Sequence, residues 1–532
     1  MILGAPFIFV VDSYAESFMS LASSKVQPPK GGYVVTCRAA VLFMFMALLP
    51  PLMGRQAQAQ MRPGSSSANS GTNAIESGSN YNSPTSAPAR GPSPQGSFLG
   101  SVPGKLEPGV VQLSLQDAIS RGLRQNLGLL LAGQDIRSAR GERWRQLSAL
   151  LPNVTTSSYV ADSQVDLAEF GFSFTFPGVT IPRVVGPFSY IDSRASVTQN
   201  IFDWKAINET HAASESAKSA QHTYKDARDL VTLAVGYEYL QAIADEARID
   251  TADAQLKTAQ SLYDQASDQV KAGTSPAIDG LRAQVEMKMR QQQLIQSKND
   301  FAIQKLTLAR VIGFAPGQQF ELIDKSPYQP FAGMTIEAAL KQAYESRSDF
   351  RAATEDVRAA EYSRKAAEAG HLPSLSMSAD YGLAGTVPQL ATHGVFDVRG
   401  TLAIPIFQGG KVHGDVLEAD ARLEKSREHL EDLRAQIDAD VRTALLNVES
   451  AEQEVAVAQS NIDLAEQTLA QSRDRFRAGV TDTVEVVQAQ EAVASAHENY
   501  ISSLYRDNYA KISLARALGI AEEGVKEYFK GK

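Results

Sequence analysis

Two stretches of the sequence carry the same set of groups able to do chemistry. They are Lys271-Ala272-Gly273-Thr274-Ser275-Pro276-Ala277-Ile278-Asp279 and Arg477-Ala478-Gly479-Val480-Thr481-Asp482-Thr483-Val484-Glu485. Each sets a cation two residues before a glycine and a carboxylate six residues after it. Such groups offer charge and hydrogen bonding, not bond-making. Gly273 and Gly479 suit the left-handed residue that closes a helix. Lys271 and Arg477 fall in the last helical turn, where a cation complements the macrodipole. Pro276 suits a first helical position after Ser275, and Asp482 with Glu485 resembles a capping box. Helix capping alone accounts for part of this pattern. No covalent chemistry is expected: the sequence holds no Gly-rich phosphate loop, no His-Glu-x-x-His and no Gly-x-Ser-x-Gly. The seven histidines are scattered, so neither a metal nor a cofactor site is expected.

The elements that must position these turns are long. Regions 205–271 and 411–477 contain no proline and one glycine each. As helices each would run about 100 Å. Val441, Val448, Val455, Ile462, Leu469 and Phe476 recur every seven residues, with Ala444, Ala451, Ala458, Ala465 and Ser472 three residues after the first five. That is a coiled-coil seam, and its 3.5-residue period calls for left-handed supercoiling. The earlier region repeats it through Val235, Ala242, Ile249, Leu256, Tyr263 and Val270, with Ala252, Ala259 and Ala266.

The two regions belong to a duplication. Ser114–Ile119 matches Thr335–Leu340, and Leu151-Pro152 matches Leu372-Pro373, both at an offset of 221. Ile201-Phe202 then matches Ile406-Phe407 at 205, and Ala309–Gly313 matches Ala515–Gly519 at 206. The first copy therefore carries about 16 extra residues after Pro152. Each copy reads helix, strand, strand, very long helix, turn, medium helix. The helices are expected over 113–150, 205–271 and 276–312, then over 334–370, 411–477 and 482–518.

The strands alternate. Ser374–Tyr381 does so without a break, as does Phe396–Ile406; Ile191, Ala195, Val197 and Ile201 alternate with Asp192, Arg194, Ser196, Thr198 and Asn200. Four strands of about ten residues cannot close a barrel in one chain, since about eight is the practical minimum. Open edges facing lipid are not tolerated, so strands that span a membrane need several chains. Phe170-Gly171-Phe172-Ser173-Phe174-Thr175-Phe176-Pro177-Gly178 predicts a hairpin. It is either at the headgroup level of a membrane or a packed outer loop. Trp204 is either an interfacial indole or a core residue at the strand-to-helix junction.

Composition bounds the rest. The chain has 532 residues, a formal net charge of −9 and one cysteine. By length alone it would make three or four ordinary domains, at about 150 residues each. The acidic balance excludes the basic stripe of a nucleic-acid binder. The mean hydropathy of −0.20 fits a membrane protein only if short, half-polar strands alone touch lipid. Arg38, the apolar run Ala39–Met53 and Ala57-Gln58-Ala59 read as a secretory signal cleaved after Ala59, following an N-terminal extension. Cys37 precedes the run, so the mature chain has no cysteine. From Met61 to Gly104, 30 of 44 residues are Gly, Ser, Pro, Asn or Thr, which predicts a disordered linker. The expected domains are 1–59 (extension and signal), 60–110 (linker), 111–320 (first repeat), 321–520 (second repeat) and 521–532 (tail).

The duplication, the element order and the paired turns resemble the TolC-like outer-membrane efflux proteins, over roughly residues 111–520. That resemblance implies a mainly α fold with a small β part: a homotrimer with a twelve-stranded outer-membrane barrel and a twelve-helix periplasmic tunnel. It implies the exit duct of a tripartite efflux or type I secretion system, with a periplasmic adaptor and an inner-membrane transporter docking at the tunnel tip. The docking turns would be Lys271, Gly273, Thr274, Gly479, Val480 and Thr481. Glu485 takes a position where relatives carry a cation-gating acidic ring, beside Asp482; the second such position is Gln488 here. Phe476 takes the place of an aromatic latch and Asp279 that of its acidic partner. Phe476 has no hydroxyl, and Thr481 replaces the usual arginine, so a latch would draw on other groups such as Arg477. A periplasmic coiled-coil scaffold and a periplasmic adaptor are the alternative functions. The cargo, whether drug, metal or polypeptide, is not legible.

Overall fold

The computed structural model describes residues 98–171, 175–176, 179–180, 182–324, 328–331, 333–387, 391–481 and 483–528. The predicted secretory signal and residues 60–97 of the predicted linker lie outside them, as do Phe172, Phe174 and Asp482, whereas residues 98–110 of that linker are described. The first repeat runs β1 (Val111–Leu113), α1 (Leu115–Gln125), α2 (Leu127–Ser148), β2 (Asn153–Asp166), β3 (Thr175–Phe176), β4 (Val179–Thr180), β5 (Val184–Phe202), α3 (Trp204–Lys271) and α4 (Ala277–Ile312). It is followed by β6 (Phe320–Leu322), α5 (Ile336–Ser346), α6 (Ser348–Glu368), β7 (Ser374–Val387), β8 (Ala391–Ala403), α7 (Lys411–Arg477), α8 (Thr483–Ala517) and α9 (Ala521–Tyr528).

The heptad seams are the packing surfaces. On α7 the seam from Val441 to Phe476 is buried, apart from the half-buried Ala465, and it packs along α8. On α3 the small residues Ala242, Ala252, Ala259 and Ala266 are buried, while the larger Ile249, Leu256, Tyr263 and Val270 are half-buried. Small seam residues let the helix axes approach. Gly236 of α3 shows how closely: a Cβ there would lie 3.0 Å from Cδ1 of Ile512 on α8.

The leading helix of each repeat is broken in two, where the periodicity predicts one. The breaks fall at Asn126 and Arg347, which are equivalent positions of the duplication. Asn126 leaves the helical region (ψ 129°), and its side chain caps Gly128 and Leu129. Gly100 accepts from the Leu127 N–H (2.9 Å), and Phe98 accepts from the Asn126 side chain. Arg347 (ψ 124°) is held by Asp349 and Asp440, at 2.6 and 3.0 Å. Around the first break a core forms from α1, α3 and the end of α4. A parallel β1–β6 pair, not expected from the sequence, closes it, and the Tyr239 hydroxyl donates to Leu113 O and Asp324 across its edge.

The main sheet is antiparallel in the order β2-β5-β7-β8. Its strands are 13 to 19 residues long, beyond the ten expected; in β5, β7 and β8 the hydrogen-bond ladder continues through glycines that interrupt the alternation. Only β8 stops early: Ile404 and Ile406 lie outside it, where Pro405 has no N–H for the ladder. The register brings Val154, Val197, Ala379 and Val398 into one row, and Ala195, Tyr381 and Phe396 into the next. These belong to one apolar, outward-lying face; Asp192, Arg194, Asp380 and Asp397 belong to the other. The extra residues of the first copy form a 3-10 turn, Leu167–Phe170, and the short β3–β4 hairpin between β2 and β5. Trp204 is 45% exposed and lies against Phe202, so it is not a core residue.

Strand order and helix order coincide. Helix α2 leads into β2, β5 into α3, α6 into β7 and β8 into α7, and near the sheet the helices pack α2–α3–α6–α7. Farther away, α4 and α8 take over as α4–α3–α8–α7. One curtain four elements wide therefore runs from the sheet to the paired turns. Among the described residues, no helix is long and apolar enough to cross a membrane.

Candidate functional site

The remote end of the curtain holds both turns. They fold alike: the Gly273 N–H donates to Val270 O (3.0 Å) and the Thr274 N–H to Gln269 O (2.9 Å), while Gly479 and Val480 do the same to Phe476 and Arg475 (3.0 Å each). The two glycines have φ of 71° and 69° with open space where a Cβ would stand, so backbone conformation alone selects them. Pro276 is the cap residue (ψ 147°), so the helix starts one place later than the spacing predicts, and the Ser275 hydroxyl is left free of a capping role. It donates instead to Asp279 at 2.8 Å.

Asp279 joins the two repeats. It is buried, and its second oxygen accepts from the fully buried Thr483 hydroxyl at 2.9 Å. Arg282 stands 3.6 Å from the same carboxylate. Beneath them lies an apolar cluster drawn from both hairpins: Leu262 and Ala266 of α3, Ala283 of α4, Phe476 of α7, and Val486 and Ala489 of α8. Phe476 is thus packed within its own chain and makes no polar link to Asp279; the hydroxyl that does reach Asp279 from the second repeat is that of Thr483. Thr483 was missed because a threonine at a helix start reads first as a cap. The 204 residues between it and Asp279 give no local signal of their contact.

Glu485 is half-buried on the first turn of α8. It accepts from Thr481 and, at 3.3 Å, from Ser472, and Arg475 lies 3.3 Å away. The Ser472 that interrupts the alanine series of the seam therefore serves the carboxylate. Gln488 is exposed on α8. Among the described residues, Arg477 and Lys271 pair along their own helices, with Asp474 (3.2 Å) and Asp268 (3.1 Å). With Gly273, Thr274, Gly479 and Val480 they form the exposed rim of the turns, and Thr481 is half-buried behind it. Asp482 lies outside the described residues.

The family described as "Outer membrane efflux protein" matches the chain over residues 118–314 and 339–520. The chain is 22% identical over 344 residues to the alkaline protease secretion protein AprF of Pseudomonas aeruginosa, a match covering 63% of this chain and 70% of that protein. It is 21% identical over 288 residues to nodulation protein T of Rhizobium leguminosarum bv. trifolii, covering 53% of this chain and 62% of that one, somewhat less than two thirds of its length. Among solved structures, the outer membrane protein VceC of Vibrio cholerae superposes with a TM-score of 0.65 at 18% identity, over 76% of this chain and 96% of that one. This last likeness is one of fold.

Proposed function

The chain belongs to the outer membrane efflux protein family, and from that premise we propose that three copies close into one duct that carries solutes across the outer membrane of a Gram-negative bacterium. One observation carries this reading: the strand order and helix order coincide, so both edges of the sheet and both edges of the helical curtain are open on the same two sides. Open strand edges in lipid would leave backbone groups unpaired, so the edges must meet. Three copies give twelve strands above twelve helices. The curtain's open sides support this. Helix α4 exposes Ile278, Leu281, Val285 and Ile295, and α7 exposes Leu446, Val457 and Leu464, all apolar and without a partner helix in the protomer. The apolar sheet face then meets lipid and the charged face lines the lumen, as in outer-membrane barrels.

The paired turns are the periplasmic end in this reading. Their exposed rim (Lys271, Gly273, Thr274, Gly479 and Val480), with the half-buried Thr481 behind it, meets a periplasmic adaptor, and an inner-membrane transporter delivers the cargo. The Asp279–Thr483 bond and the cluster below it keep the two hairpins of a protomer together, so the resting end is narrow. Glu485 supplies the acidic entrance, with Asp482 the second acidic candidate by sequence, and Arg475 tempers the charge of Glu485. The relatives compared include proteins named for protease secretion and for nodulation, and this chain's cargo class stays open between small molecules, metals and polypeptides. The stretch from Arg38 to Ala59 acts as an export signal behind an N-terminal extension, and the end of the linker, Phe98 and Gly100, is bonded to the break at Asn126. The family is one of channels, and no catalytic step is assigned.

Purified protein added to a planar lipid bilayer tests the reading. Discrete conductance steps, from a species that migrates as a trimer before heating and as a monomer after it, are expected. A soluble monomer without conductance would favour the periplasmic scaffold instead.

A further inference from the structure

At mid-length of the main sheet, on the face away from the apolar one, five charged side chains form a belt. Arg194 of β5 stands at its centre. Its Nε and one terminal nitrogen donate to both oxygens of Asp192, each at 2.8 Å, and the other terminal nitrogen donates to Asp380 of β7 at 3.0 Å. The register places Asp380 directly opposite Asp397 of β8. Two carboxylates facing each other across a strand pair repel, and that is costly unless cations flank them. Arg194 flanks one; Arg399, 3.5 Å from Asp397, flanks the other. Three carboxylates against two guanidinium groups leave one negative charge in excess per protomer.

The backbone reserves room for this arrangement. Gly382 lies opposite Arg194 in the ladder. A Cβ at that position would come within 2.7 Å of Arg194 Cγ and 2.2 Å of the Ser193 carbonyl oxygen. Any side chain there would push the arginine off the sheet. Arg194 is 35% exposed, so its charge is paired yet still faces solvent. Its carboxylate partners sit on two strands, β5 and β7, which come from different repeats.

We propose that this belt is a charge-selecting station of the membrane barrel, separate from the periplasmic turns, and that Arg194 sets how strongly it favours cations and cationic cargo over anions. The proposal rests on the duct reading above. Charged rings lining a pore act in this way, and their reach follows the Debye length. The belt's field extends to the axis of a wide barrel only in dilute salt, about 30 Å at 0.01 M against about 3 Å at 1 M.

The test is the cation-to-anion permeability ratio, from zero-current potentials in dilute KCl gradients across a planar bilayer. R194Q doubles the negative excess and is expected to raise the ratio about twofold or more near 0.01 M salt, with the difference vanishing near 1 M. D397N removes the excess and is expected to lower the ratio; being more exposed and outside the forked pair, it assembles even if R194Q does not. R194K keeps the charge but loses the fork, so the ratio stays while the heat resistance of the trimer falls. A conducting R194Q and a conducting D397N with the wild-type ratio in dilute salt would overturn the belt alone. A wild-type protein that gives no conductance overturns the duct reading, and the belt with it.

Discussion

The hydroxyl of Thr483 donates a 2.9 Å hydrogen bond to Asp279 Oδ1, joining the first turn of α8 to the first turn of α4. Both groups are buried, and the bond is charge-assisted, a kind that contributes about 1.5–3 kcal/mol. It links the two hairpins of one protomer at the end where the duct is proposed to be narrowest. Thr483→Val keeps the shape and removes the donor, so the closed end should loosen by roughly tenfold or more in its closed-to-open ratio. Single-channel conductance should rise, while Thr483→Ser should behave as the wild type. Equal conductance in Thr483→Val and wild type would show that the bond does not hold the end closed.

Glu485 is expected to be the group that cations meet at the entrance. Glu485→Gln, with Asp279 intact, should weaken block of the channel by divalent or larger cations. Arg475 lies 3.3 Å from that carboxylate, so Arg475→Gln should strengthen block. Titrating cation block from the periplasmic side in a planar bilayer measures both. Opposite movement of the two variants is the expected outcome.

Seam and edge residues on α7 should separate folding from assembly. Ile437 is fully buried within the protomer, and Ile437→Ala should cost about 2–5 kcal/mol of protomer stability. Leu446 is 65% exposed on the open edge. Leu446→Ala should leave the protomer nearly unchanged, within about 0.5 kcal/mol, and weaken the trimer. Denaturant unfolding of the protomer in detergent, set beside gel mobility of the unheated trimer, distinguishes the two effects.

Asp229 of α3 gives a pH dependence. Burial raises its carboxyl to about 6, with Asp226 and Glu522 adding repulsion and Arg516 and Arg228 opposing it. Between the ordinary Asp range and about 6 the folded chain keeps a proton that the unfolded chain has lost. Stability therefore falls as pH rises through that window. Asp229→Asn removes the penalty, so it should raise stability by about 1–3 kcal/mol at neutral pH and by little near pH 4. Denaturant unfolding at the two pH values checks this; an equal effect at both would rule out the linkage.

Several things were already determined by the sequence. The long helices run where the heptads place them, 204–271 and 411–477; the seam of the second is buried, and that of the first is buried at its alanines. The alternating faces of the strands depend only on residues a few positions apart, and the duplication is a repeat carried in the sequence itself. The tertiary structure decided what joins distant residues. The pairing of β5 with β7, which unites the two repeats in one sheet, has no signature in either strand. The three-residue strands β1 and β6 are too short to show a period and exist only because they meet. The breaks at Asn126 and Arg347 follow from capping and ion-pair partners brought in from elsewhere in the fold. The Asp279–Thr483 bond likewise needs α4 and α8 to converge, which depends on the packing of four helices and not on the residues beside either group.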